Sequence, residues 1–368
     1  MGKKRISIGT WAYCVGPYME SPVPFPEVVT GLKKLNFDGL ELGAFFSHPN
    51  PENHPTLESR KALKSLVEDS GLVFSGIATD MWNYPGHESH LADATDGGAH
   101  YLSMVRKNLE FTRDLGITLF RVDTVQEPDL LNTYDKSRAM DNVVKSWQQV
   151  CRMAADMGIL VTWEFEPGFV FNRPSDIVTL VNAVGEKNFG AMYDTCHAYM
   201  CAVAGSRHSG GPVEASKDGM LDLARKLRGK INAIQIIDCD GQLNEHKTST
   251  HKVFGSPGTK IDFPPVLSEL SANSGCPHDW WTIDLCFEDG AWPKTAACKK
   301  ASDELNVLVN GNGVMKAAPA TAPATPPKKA KKAAANAKPK PKSKPKPKSK
   351  AKAKPKAKAK PAKKKAKR

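Results

Sequence analysis

Short apolar runs alternate along this chain with longer segments in which apolar positions recur every three or four residues. The runs cover 5–10, 39–43, 72–78, 118–122, 159–164, 189–194, 231–237 and 280–286. Brief and almost continuously apolar, they predict strands buried on both faces. Between them, 25–35, 59–70, 103–115, 140–157, 174–184, 220–227 and 264–272 carry the helix period, as in Leu109, Thr112, Leu115 and Met140, Val143, Val144, Trp147. Gly116 and Gly158 each follow such a stretch and precede the next apolar run, where a left-handed residue closes a helix. Eight strand-then-helix units predict an α/β fold, a (β/α)8 TIM barrel over residues 1–312. A doubly wound open sheet would favour a glycine-rich phosphate loop after its first strand. Here Ile8-Gly9-Thr10-Trp11-Ala12-Tyr13 follows instead, so barrel closure is preferred.

Parallel barrel strands bring their C-terminal ends to one mouth. Glu164, Asp194, Gln235 and Asp284 each stand at or near such an end, so four oxygen donors far apart in sequence are expected around one divalent cation. Arg121, Asp123, Trp11 and Asp238 are strand-end residues too, and each taken singly reads first as structural. Glu166 lies two positions past Glu164 and faces the pocket if the strand runs through Pro167. The long connections 81–101 and 204–218 leave strand ends, which makes each a candidate lid or collar.

The segments Tyr193-Asp194-Thr195-Cys196-His197-Ala198-Tyr199 and Gly158-Ile159-Leu160-Val161-Thr162-Trp163-Glu164 resemble the xylose-isomerase-like barrel superfamily. So do Phe37-Asp38-Gly39-Leu40-Glu41-Leu42-Gly43, Gln235-Ile236-Ile237-Asp238 and the glycine-rich stretch 255–263. The resemblance spans about residues 5–310. It implies a divalent ion held by Glu164, Asp194, Gln235 and Asp284, with Glu164 and Asp284 as the acid/base pair. In the superfamily's epimerases position 235 is histidine and position 284 glutamate. An all-oxygen set with Gln235 favours Mn2+ or Mg2+ over Zn2+. His251 is a candidate to restore the missing nitrogen, with His246 as the other histidine of that loop.

The implied activity is that of a metal-dependent sugar isomerase or epimerase. A proton beside a carbonyl is removed and returned through an enediolate. Substrate contacts fall to His197, His251, Asp238, Arg121, Glu166 and Trp11. Two other readings remain open. An endonuclease IV-like repair nuclease shares Asp-Thr-Cys-His, but no histidine stands at the end of the third or fourth strand. A non-catalytic sugar-binding barrel would be free of metal.

Charge divides the chain. From Lys316 onward there are 22 Lys and Arg and no Asp or Glu, which leaves about −9 on the rest of a chain whose net charge is +13. Residues 313–368, almost wholly Ala, Pro and Lys, predict a disordered, partly polyproline II arm resembling linker-histone tails in composition. Its expected partner is nucleic acid or another polyanion, bound without sequence selectivity. Eight scattered cysteines lack CxxC spacing, and no apolar stretch reaches the ~18 residues of a membrane span. These features point to reduced thiols, a cytoplasmic location and association with the nucleoid through the tail.

Overall fold

Eight parallel strands curl into a nearly closed barrel in the computed structural model, which describes residues 2–81, 90–124 and 126–311. They are β1 (Arg5–Ile8), β2 (Gly39–Ala44), β3 (Val73–Thr79), β4 (Leu119–Val122), β5 (Leu160–Glu164), β6 (Phe189–Asp194), β7 (Ile231–Ile236) and β8 (Trp280–Ile283). From β2 onward each pairs with the next, and β8 returns to pair with β1. β1 meets β2 through one parallel bridge, Gly9 to Glu41, and the Gly43 N–H donates to Thr10 Oγ1 at 2.8 Å across the same seam. Each strand lies where its apolar run predicts it. The largest departure is β8, which stops at Ile283 and leaves Asp284 and Cys286 to the loop beyond.

The helices are α1 (Phe25–Lys34), α2 (Leu57–Glu68), α3 (Ala99–Leu115), α4 (Lys136–Ala155), α5 (Pro174–Val184), α6 (Thr195–Tyr199), α7 (Gly219–Lys226), α8 (Phe263–Asn273) and α9 (Ala291–Asn310). Seven answer the amphipathic stretches of the sequence. Gly116 ends α3 at φ +74°, the left-handed cap expected there. The short α6, which runs into a π-helical turn at Met200–Ala204, and the long α9 have no apolar period to announce them. The buried face of α9 holds Thr295, Ser302, Asn306 and Asn310. Asn306 accepts from the Lys4 N–H at 3.0 Å and donates to the Lys4 carbonyl at 2.6 Å, so hydrogen bonds fasten this helix to the start of β1.

The main core lies between strands and helices, with Trp147 in ring contact with both Trp163 and Phe189. Inside the barrel a separate small cluster of Leu119, Met192 and Ala233, with Leu160 against it, fills the end where the strands begin. One residue pair further along, the interior turns polar: Ser7 and Thr282 share a hydroxyl hydrogen bond of 2.8 Å, in register with Gln235 and Asp194. This change of polarity puts the chemistry at the mouth. All eight cysteines are free thiols, and no described helix is long and apolar enough to cross a membrane. Residues 82–89 of the first long connection, and 312–368, which hold the arm expected over 313–368, lie outside the described residues.

Candidate active site

A cavity of about 400 Å3 opens at the strand C-termini. Trp11, Arg121, Glu164, Glu166, His197, His251 and Asp284, all singled out from the sequence, line it. Asp194 and Gln235 are fully buried and do not line it. β6 and β7 carry these two in register, so their side chains leave adjacent strands at one level.

Asp284 is gripped from two sides. The Trp11 Nε1–H donates to Oδ1 at 2.5 Å, and His251 Nδ1 lies 3.3 Å from Oδ2. One ligand-capable atom from each of His197, His251 and Asp284 falls within 4.8 Å of the other two. His197 sits in the first turn of α6 because Asp194 caps that helix, Oδ1 accepting the His197 N–H at 2.7 Å. Its Nδ1 meets Ser249 Oγ at 2.9 Å, which leaves Nε2 for the cavity. Burial, the nearby His251 and Arg121 lower the His197 pKa well below the usual imidazole range, so the ring is neutral at pH 7.

Opposite, the Arg121 guanidinium pairs with Glu164 Oε2 at 2.5 Å and Asp123 Oδ1 at 2.9 Å. Burial nevertheless holds Glu164 well above the carboxylate range, Arg121 opposing and Asp284, Asp123 and Glu166 adding to it. Asp194 is raised by burial and then by Asp284, despite the N–H bonds from His197 and Cys196. Glu166 lies beyond the end of β5 yet lines the cavity; Thr248 donates its hydroxyl to it. Its pKa is pushed up to about 7 by burial, with Arg121 and Thr248 pulling down.

Several buried polar atoms here lack a hydrogen-bond partner: Glu164 Oε1, Asp194 Oδ2, Gln235 Oε1 and both ring nitrogens of His251. A buried polar atom left unpaired costs roughly 1–3 kcal/mol. Three carbonyl or carboxylate oxygens with imidazole nitrogen nearby are a donor set that a hard or borderline divalent cation would satisfy.

Two expectations change. Asp238 does not line the cavity. Its Oδ1 accepts the N–H groups of Cys239 (2.9 Å) and Ile261 (3.3 Å), and its Oδ2 that of Gly255 (3.1 Å). It pins the glycine-rich turn. Glu41, which sequence reasoning passed over as a site residue, reaches the interior and accepts from Gln235 Nε2 at 3.1 Å. A lone carboxylate between Leu40 and Leu42 in a wholly buried strand was the available signal, since a buried charge needs a partner.

The family model for the xylose isomerase-like TIM barrel matches residues 29–297. Among solved structures, D-psicose 3-epimerase from Clostridium cellulolyticum H10 with D-tagatose superposes at TM-score 0.62 and 15% identity, covering 83% of this chain and 99% of that one. A D-tagatose 3-epimerase-like protein gives 0.61 and 17%, over 83% and 98%. The 3-keto-D-glucoside 4-epimerase of E. coli gives 0.58 and 13%, over 82% and 99%. No curated protein matches the sequence.

Proposed function

The chain belongs to the xylose isomerase-like TIM barrel family, and from that premise we propose that it is a divalent-metal-dependent sugar isomerase or epimerase. The observation that carries the reading is the set of unpaired buried atoms, Glu164 Oε1, Asp194 Oδ2 and Gln235 Oε1, beside Asp284 and the cavity. Glu164, Asp194, Gln235 and Asp284 would hold the metal, with His251 near enough to add a nitrogen. A bound Mn2+ or Mg2+ would supply Lewis-acid stabilisation of negative charge on substrate oxygens.

The chain's own groups do the rest. Glu164 and Asp284 leave β5 and the end of β8, strands that are not neighbours, so they address a bound sugar from different sides. That is what removing a proton from one face and returning it to another requires. Arg121 fixes Glu164 Oε2, which leaves Oε1 as the oxygen that can meet the ion or the substrate. Trp11 orients Asp284 in the same way. Neutral His197 hydrogen-bonds a hydroxyl without bringing charge, and Glu166 offers a second acceptor on the same wall. The structural neighbours named for psicose, tagatose and ketoglucoside epimerases favour this reaction class.

Thr79 ends β3 with Asp80 next, and Asp123 follows β4, so histidines for a three-metal nuclease cluster do not stand there. The lysine-rich arm 313–368 completes the proposal as a polyanion-binding segment that would hold a cytoplasmic enzyme to nucleic acid.

Elemental analysis of the purified protein followed by a ketose and inosose panel tests the reading. About one equivalent of Mn2+ or Mg2+ and turnover abolished by EDTA are expected, with Glu164→Gln slowing turnover about 10²–10⁴-fold. Metal-free protein that still binds sugar would make it a non-catalytic barrel. A wild-type rate in Glu164→Gln would remove the proton-transfer role.

A further inference from the structure

One arc of the mouth is apolar. Val15 and Met19 follow β1, Phe45 and Phe46 follow β2, and Phe287 follows β8; all five line the cavity. Because β8, β1 and β2 are consecutive around the barrel, these side chains gather on one arc. The rest of the rim, from the loops after β5, β6 and β7, presents Glu166, Arg207, His246 and Thr248 together with Phe169, and the His246 ring lies 4.8 Å from that of Phe287.

The apolar arc is a built feature, not an edge of the core. Trp11, Cys14, Phe45, Ala78 and Cys286 form a cluster of their own, apart from the main core, and Val15, Phe46 and Phe287 pack against it. Trp11 and Phe45 meet edge to face at 6.4 Å. Phe46 and Phe287 both hold left-handed backbone, φ +50° and +60°, which is unfavourable for a large side chain and concentrates at ligand clamps. Gly16, at φ +60°, lets the β1 loop close on Phe287: a Cβ there would lie 2.9 Å from the Phe287 Cα. Two strained phenylalanines and a glycine contact thus fix aromatic rings at a wet opening.

A free sugar carries hydroxyls around most of its surface. Those turned towards this arc would lose water and gain no partner. A cavity of about 400 Å3 also falls in the range of drug-sized ligands. The geometry points to a glycoside as substrate: the sugar ring on the polar floor of Glu164, His197 and Asp284, and an apolar aglycone on the arc of Phe45, Phe46 and Phe287. This deepens the proposed function and rests on it. A glycosidic bond locks the ring closed, so the carbonyl that acidifies the neighbouring C–H is then a ketone on the ring itself.

The test is calorimetric titration of the full-length, Mn2+-loaded protein with methyl, phenyl and octyl β-D-glucosides and β-D-galactosides. Phenyl or octyl glycosides of one sugar should bind at least tenfold tighter than the methyl glycoside. Phe46→Asn and Phe287→Asn keep a residue that tolerates left-handed backbone, so they should fold, and together they should shrink that preference about tenfold. Equal affinity for methyl and phenyl glycosides, or no binding of any glycoside, overturns the inference; turnover of a free ketose would then leave the isomerase reading standing. Phenol or octanol binding as tightly as the glycosides overturns it as well. A change of oligomeric state in the double variant with the preference intact would make the arc a subunit contact and also overturn the inference.

Discussion

Gln235 donates through Nε2 to Glu41 Oε2 at 3.1 Å, and this contact sets which end of its amide faces the mouth. When Glu41 is ionised it can only accept, which turns the amide nitrogen to it and the carbonyl Oε1 away. That oxygen is one of the unpaired atoms of the site. Glu41 therefore positions a proposed metal ligand, while its own Oε1 is also without a hydrogen-bond partner. Glu41→Gln, which accepts and donates alike, would let the amide turn over. Mn2+ affinity should fall about 10–100-fold by calorimetry, the scale seen when a ligand's supporting partner is lost. Unchanged affinity would separate Gln235 from the metal.

Glu41 also couples stability to pH. Its pKa is pushed up to about 7, first by burial, with Gln235 and Arg121 opposing and Asp284 adding. Raised above its unfolded value, the carboxyl holds its proton more tightly in the native state. The stabilisation is whole below the ordinary carboxylate pKa and is lost as pH rises through about 7. Glu164 and Asp194, also raised, act with the same sign. In EDTA the protein should thus lose stability between pH 5 and pH 8, about 3 kcal/mol of it from Glu41. Urea melts at the two pH values should show a smaller loss in Glu41→Gln; an equal loss would mean that Glu41 titrates normally.

The strands were legible because burial on both faces leaves a mostly apolar run, as at 189–193. α9 was not, because it buries Thr295 and Asn306, whose partners on Tyr13 and Lys4 lie far away in sequence, and Ser302, which bonds back to the Cys298 carbonyl. Strand ends give the level of a residue but not its partners. Asp238 and Asp284 look alike in sequence; loop N–H groups enclose the first, while Trp11 and His251 face the second. The apolar arc was hidden for a related reason. Phe46 and Phe287 are loop residues with no periodicity, and only closure between β8, β1 and β2 brings them together.

Arg121 offsets two buried carboxylates, Glu164 and Asp123. Removing one member of a buried ion pair leaves an uncompensated charge and costs about 3–5 kcal/mol. Arg121→Met fills similar space without charge and should melt well below wild type at pH 8 in EDTA. Both carboxyls are raised by burial, so acid should protonate them early and narrow the gap at pH 5.5. Mn2+ should narrow it too, if Glu164 binds the ion. A gap that stays constant from pH 5.5 to 8 would show that Arg121 stabilises by packing and not by charge.

The arm and the barrel carry opposite charge, about +22 after Lys316 against −9 before it, and this separates two fates for the arm. If it binds nucleic acid, the full chain should bind duplex DNA at low salt and a chain ending at Val314 should not. The logarithm of affinity should then fall against the logarithm of salt with a slope of roughly −0.9 per phosphate contacted. The arm has no aromatic residue to stack on bases, so random duplexes of one length should bind equally well. If the arm instead folds back on the acidic barrel, low salt strengthens that internal contact and competes with DNA. The log–log plot would then flatten at low salt instead of staying straight. Equal binding by both chains would take the arm out of the account and leave the barrel surface as the only contact.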